Sequence, residues 1–287
     1  MNVEKLRAAL RSGPMSGLYR MAAQQRRLVQ DWAATHVFTG LRVAQTPLGF
    51  KLAAGHYHAN RKMQAGTFEP EEVALIKRFV EESEVFVDAG ANIGFYTSIA
   101  AHAGKPVFAF EPQPRNLAAI YENIRINDFK NVDVFPIALG AESGVADLYG
   151  SSGPSGSLLK GWDGASSGYR QAVPVNTMDA LIAGRLKGKR AFIKVDVEGF
   201  EYNLLRGAKE IMTQDPKPTW LIEVCLNEAH PGGGNRDYEK TLNLFFDAGY
   251  RVSPVTDTDH VISREDVARW QRENKTPFDT FDYLIRQ

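Results

Sequence analysis

The run Val85-Phe86-Val87, closing on Asp88-Ala-Gly-Ala-Asn-Ile-Gly94, constrains this chain more than any other stretch. A short β-branched and aromatic segment ending in an acid, then two glycines, then Phe95-Tyr-Thr-Ser-Ile-Ala100, reads as strand, tight loop and helix. Glycine in such a turn has no Cβ to hold a ligand off, tolerates positive φ, and leaves backbone N–H groups free at the helix start. Gly90 and Gly94 suit those roles.

The glycine spacing bears on which ligand the loop holds. A dinucleotide pyrophosphate loop calls for G-x-G-x-x-G, whereas here the glycines fall as G-x-x-x-G with Asp88 two residues ahead. An aspartate there would repel a phosphate. It suits a ligand with an amine, such as the amino-acid end of S-adenosylmethionine. Val107-Phe-Ala-Phe110 then ends in Glu111, 21 residues after Gly90, where an acid at a strand tip can accept both ribose hydroxyls of an adenosine. A surface acid capping each strand is the plainer alternative.

Three motifs together, Asp88-Ala-Gly-Ala-Asn-Ile-Gly94, Glu111-Pro-Gln-Pro114 with Asn116, Asn123 and Asn127 behind it, and Ile193-Lys-Val-Asp-Val-Glu-Gly-Phe-Glu201, resemble the FkbM family of methyltransferases. The resemblance runs from about Gly66 to the C-terminus, and the third motif is the most family-specific. It implies a class I methyltransferase, a Rossmann-like α/β fold whose seven-stranded sheet is mostly parallel with an antiparallel last strand. It also implies S-adenosylmethionine as cofactor and methylation of oxygen on a sugar, glycan or natural-product hydroxyl. The family's cofactor residues map onto Asp88, Gly90, Asn92, Gly94 and Glu111. Ala89 stands where valine or isoleucine is common.

The pattern of the chain agrees. From about residue 70, strands at 85–88, 107–111, 132–136, 191–195, 219–224, 251–255 and 281–285 are interleaved with helices at 71–80, 94–103, 116–127, 177–182, 201–213 and 238–248. Alternation of this kind means a mainly parallel sheet with right-handed crossovers. Residues 70–287 are read as the methyltransferase domain. Residues 1–69 are read as an accessory extension: helices over 3–10 and 16–37 with basic faces at Arg20, Arg26 and Arg27, then a hairpin around Pro47-Leu-Gly49. Such an extension can cover a site or pair subunits as a homo-oligomer. Between 150 and 168 a glycine- and serine-rich excursion reads as an active-site flap rather than a linker, with Trp162 and Tyr169 placed to stack on a sugar or anchor the loop.

A balance of 34 Lys and Arg against 34 Asp and Glu gives no global field to gather a polyanion, so nucleic acid is not the expected partner. A small-molecule or glycan acceptor is. The single cysteine, Cys225, can form no intramolecular disulfide, and the start of the chain has neither a signal-peptide core nor a membrane-spanning run. A cytoplasmic protein is the expectation.

Chemistry in open α/β sheets lies at the carboxyl ends of the strands. Asp196 closes the fourth strand and is the expected base or acceptor anchor, since a hydroxyl attacking a sulfonium methyl must give up its proton. Glu198 and Glu201, three apart at a helix start, share a face and are further catalytic candidates, although N-terminal capping explains them equally. Glu223 sits in an apolar strand where an unpaired charge is costly, so it either pairs with a cation or joins Asp196 in a carboxylate cluster able to bind Mg²⁺. His56 and His58, flanking Tyr57 on an extended segment, offer a substrate contact at His56; they lack the further ligands zinc needs. A nicotinamide-dependent oxidoreductase could use the same topology without the required glycine, and a non-catalytic binding module would keep the fold without turnover.

Overall fold

The computed structural model describes residues 40–150, 155–164 and 170–287. The basic helices expected before residue 39 lie outside those residues, as does Tyr169. A hairpin of β1 (Arg42–Gln45) and β2 (Lys51–Ala54) leads into α1 (His58–Ala65) and α2 (Pro70–Glu82). The alternating domain follows as β3 (Val85–Ala89), α3 (Phe95–His102), β4 (Val107–Phe110), α4 (Pro114–Asn127) and β5 (Val132–Phe135). A small sheet of β6 (Ala138–Leu139), β7 (Gly144–Tyr149) and β8 (Arg170–Asn176) interrupts it, in the order β6-β8-β7. The chain then runs α5 (Met178–Leu186), β9 (Ala191–Val195), α6 (Glu201–Arg206), α7 (Lys209–Met212), β10 (Thr219–Glu223), α8 (Tyr238–Asp247), β11 (Arg251–Pro254), α9 (Arg264–Glu273) and β12 (Asp282–Arg286).

The main sheet has seven strands in the order β11-β12-β10-β9-β3-β4-β5, with β12 antiparallel to both of its neighbours and the remaining pairs parallel. All seven strands read from the sequence are present. Strand order reverses between β3 and β9, so the crevice above their carboxyl ends is the ligand position that open α/β sheets share. Period-two alternation builds the two layers around it: Val85, Val87 and Ala89 face one apolar layer while Phe86 faces the other with Phe192, Leu221 and Leu284. The hairpin belongs to that second layer through Phe50, Leu52 and Ala54, and Asn123 ties α4 to it by accepting from the Ala53 N–H at 2.6 Å.

The structure corrects two local expectations. The helix read across 201–213 breaks at Gly207, where a Cβ would lie 2.1 Å from the Gly140 carbonyl, so backbone contact with the small sheet interrupts it. The segment carrying His56 and His58 is not extended: His58 opens α1, which removes the shared face expected of the two histidines. Helices α1 and α9 appear where the sequence reading placed none; α9 is set by a capping box in which Ser263 and Asp266 satisfy each other's backbone N–H.

Candidate active site

The loop after β3 is pressed against the end of β9. At Gly90, with φ of 86°, a Cβ would fall 1.8 Å from the Asp196 carbonyl oxygen, a separation no side chain survives. Asn92 also takes positive φ, 51°, and is held by its N–H donating to Glu111 Oε2 at 2.8 Å. The Gln113 N–H donates to the other oxygen at 2.8 Å and the Asn116 side chain adds a third hydrogen bond, so Glu111 is fixed from both sides and still has acceptor capacity for a ligand. Burial raises its pKa to about 8 against the pull of those amides. Gly94 caps α3 at φ 80°, packed on Ile120.

Asp88 stands one layer behind the loop. It is 1% exposed, its Oδ2 accepts the Thr97 hydroxyl at 2.6 Å, and its Oδ1 has no partner. Burial pushes this carboxyl up, opposed by Lys194. Lys194, opposite Asp88 in the β3–β9 register, places its Nζ 2.9 Å from Asp196 Oδ2 and 4.9 Å from the Tyr96 ring centre. Burial pulls the lysine down, but Asp196 and Asp88 more than offset it and hold the ammonium above its ordinary value. A buried lysine thus stays charged.

Around that ammonium lies an edge of carboxyl groups. Glu223 and Asp282 face each other across β10 and β12, and the Tyr96 hydroxyl donates to Glu69 at 2.5 Å and to Glu72 at 3.4 Å. Burial raises Glu69 to about 7, with Glu72 adding to it, and likewise drives Glu72, Glu223 and Asp282 upward. Near neutral pH Glu69 can therefore donate as well as accept. Among the described residues no group of three or more His, Cys, Asp or Glu is arranged to hold a metal ion.

Beyond Asp196 the backbone turns through Glu198 at φ 56° and Gly199 at φ 90°. Ser157 donates its hydroxyl to the Glu198 carbonyl at 2.5 Å, and the Trp162 indole N–H donates to Glu198 Oε2 at 2.6 Å. Burial raises the Glu198 carboxyl, with Asp196 adding to it, while hydrogen bonds from Ser155 and Trp162 and the charge of Lys194 oppose the rise. Glu201, 4% exposed and lifted to about 7 by burial, accepts the Gly199 N–H at 2.9 Å and so braces the same turn.

These parts line one cleft, whose open space, solvent included, is about 580 Å³. Gly90, Asn92 and Glu111 line it together with Asp196 and Glu198, and Ile137, Ala138 and Leu139 add apolar surface. Ser155, Gly156 and Leu158 of the expected flap line it too. Of the residues singled out from sequence, five therefore meet in one cleft. Asp88, Gly94, Glu201 and Trp162 support it from behind, and Glu223 belongs to the carboxyl edge. His56 does not line the cleft; its carbonyl accepts from Arg61 at 3.3 Å. Sequence reasoning passed over Lys194, Tyr96, Glu69, Glu72, Asp282 and Ser157. Lys194 was detectable as a charge inside an otherwise apolar strand.

A family model described as the Methyltransferase FkbM domain matches residues 88–252. The Hexuronic acid methyltransferase AglP of Haloferax volcanii is 28% identical over 175 residues, which are 61% of this chain and 68% of that protein. A solved Methyltransferase FkbM from Methylobacillus flagellatus is 19% identical at a TM-score of 0.44, covering 72% of this chain but 44% of that one. An O-methyltransferase family protein from Burkholderia thailandensis is 12% identical at a TM-score of 0.40, covering 80% and 57%. The chain thus spans less than two thirds of either solved protein.

Proposed function

Because this chain belongs to the FkbM methyltransferase family, we propose that it transfers a methyl group from S-adenosylmethionine to a hydroxyl of a sugar-containing acceptor. The observation that carries this reading is that one cleft is lined both by a glutamate fixed by two backbone amides and by an aspartate held by a lysine. The residues present fit the cofactor. Gly90 admits no Cβ, Asn92 Oδ1 is buried without a partner, and Glu111 retains acceptor capacity. Glu111 would take the ribose hydroxyls, Ile137 to Leu139 would cover the flat base, and Asn92 would accept a ligand N–H. Asp88 would act on the loop through Thr97 and Lys194. When bound, S-adenosylmethionine supplies an electrophilic methyl on its sulfonium.

The chain's own residues supply the rest. Lys194 donates to one oxygen of Asp196 and orients that carboxylate, leaving the other to hold an acceptor hydroxyl and take its proton. Glu198, on the same wall, would fix the acceptor's orientation. A sugar is favoured by the Haloferax relative, named for hexuronic acid. A carboxylate base is required by a hydroxyl, whereas it would repel an acceptor carboxylate; this favours ether formation over esterification. The test is transfer of label from S-adenosylmethionine to a panel of neutral, amino and uronic methyl glycosides, followed by treatment with alkali. The expected product is an alkali-stable methyl ether. Label on no glycoside, or only on an alkali-labile ester, would refute the proposal.

A further inference from the structure

We propose that Trp162 is a positioning residue: through its indole N–H it sets the Glu198 carboxylate in the lining of the cleft, without touching the acceptor itself. The inference rests on the methyl-transfer reading above. Trp162 is 5% exposed, and every part of its ring is taken. Its N–H goes to Glu198 Oε2, and its Cε3 and Cζ3 atoms sit where a Gly199 Cβ would be, 2.4 Å away. The His230 ring meets it edge-on at 4.7 Å between centroids. A tryptophan packed this way cannot offer a face to a sugar.

Glu198 needs such a hold. It is not a glycine yet occupies left-handed φ, a conformation that persists only when its surroundings impose it. Its carboxyl also lies close to Asp196, whose charge would push it off the wall. The segment carrying Trp162 supplies the restraint at three points, Ser157 on the Glu198 carbonyl and Ser155 and Trp162 on the side chain. That segment is itself anchored at both ends. Ser157 exchanges backbone hydrogen bonds with Tyr149 at 2.8 and 3.0 Å, and the Asp163 N–H donates to the Ala229 carbonyl at 2.7 Å. Gly199 completes the arrangement, because any side chain there would displace the indole.

A double-mutant cycle tests this, using the most active glycoside of the panel above. Trp162→Phe keeps the ring and removes the donor. The full chain should lose about tenfold in kcat, with KM for the glycoside and affinity for S-adenosylhomocysteine within about twofold. In a Glu198→Ala background the same change should cost less than about twofold, since the group it acts through is gone. Equal losses in both backgrounds, or a raised glycoside KM with kcat unchanged, would overturn the inference. If Trp162→Phe does not fold, Ser157→Ala serves in the same cycle and should lose a smaller factor, again only when Glu198 is present. Wild-type protein that fails to bind S-adenosylhomocysteine would instead sink the methyl-transfer reading, an outcome separable from an additive cycle.

Discussion

The cleft is lined by two sets of residues built in opposite ways, one running from Gly90 to Glu111 and the other around Asp196 and Glu198. The Gly90–Glu111 set is made of backbone: two amides grip one carboxylate, and a glycine approaches the neighbouring strand too closely for any side chain. The Asp196 set is made of ionisable side chains from separate elements, gathered around the ammonium of Lys194. The first is rigid and specified within a few residues of sequence. The second is specified by the register of the sheet, and burial drives the carboxyls of Glu223 and Asp282 well above their ordinary range against the pull of Lys194. A binding set that is fixed and a reacting set that is titratable is a sensible division for an enzyme that must grip one ligand and move a proton from another.

Substitutions that respect this division should separate binding from chemistry. The largest effect is expected from Gly90→Val, which drives a branched side chain into the Asp196 carbonyl and so disturbs both sets at once. Binding of S-adenosylhomocysteine should be lost by calorimetry, with circular dichroism reporting whether the fold survives. A folded Gly90→Val protein that binds normally would break the comparison.

Asp196→Asn should come next, lowering methyl transfer by about 10²-fold, the scale of removing a general base, with cofactor affinity nearly unchanged. Single-turnover rates would check it; a near-normal rate would shift the role of base to Glu198. Glu111→Ala should do the reverse, weakening S-adenosylhomocysteine by about 1–3 kcal/mol, the usual cost of losing a charged hydrogen-bond partner. If its affinity holds and its maximal rate falls, the two sets have been assigned the wrong way round.

The smallest effect concerns stability. Glu201 moves from 4.5 to about 7 on folding. A raised carboxyl pKa means that the unfolded chain gives up its proton first. The stability is therefore complete below about pH 4.5 and is lost as pH rises through 7. Denaturant unfolding should show less stability at pH 8 than at pH 5. Glu201→Gln retains an acceptor for the Gly199 N–H and should remove a share on the order of 1–3 kcal/mol of that difference. An unchanged difference would show that Glu201 does not hold a proton in the folded state.

The same contrast explains what could be read from the sequence. The strands announced themselves because each is a short apolar run between turn signals, and Gly90, Asn92 and Glu111 because a loop motif and a strand-tip acid have fixed spacing. Asp88 was legible as a motif residue, but not its retreat behind the loop onto Thr97, which depends on how α3 packs. The Lys194 edge was harder. Glu69 and Glu72 look like ordinary first-turn acids, and Asp282 like a strand-end residue. Only the insertion of β12 between β10 and β11 brings Asp282 beside Glu223. Trp162 could be read either as a stacking residue or as a loop anchor, because sequence shows an aromatic in a polar loop, not the glycine it packs against.

The central claim is that the Gly90–Glu111 set holds S-adenosylmethionine, and calorimetric titration of the wild-type protein tests it most directly. S-adenosylmethionine and S-adenosylhomocysteine should bind at about micromolar Kd or tighter, near 8 kcal/mol, and NAD should give no heat. Binding of NAD with no response to either sulfur ligand would contradict the account.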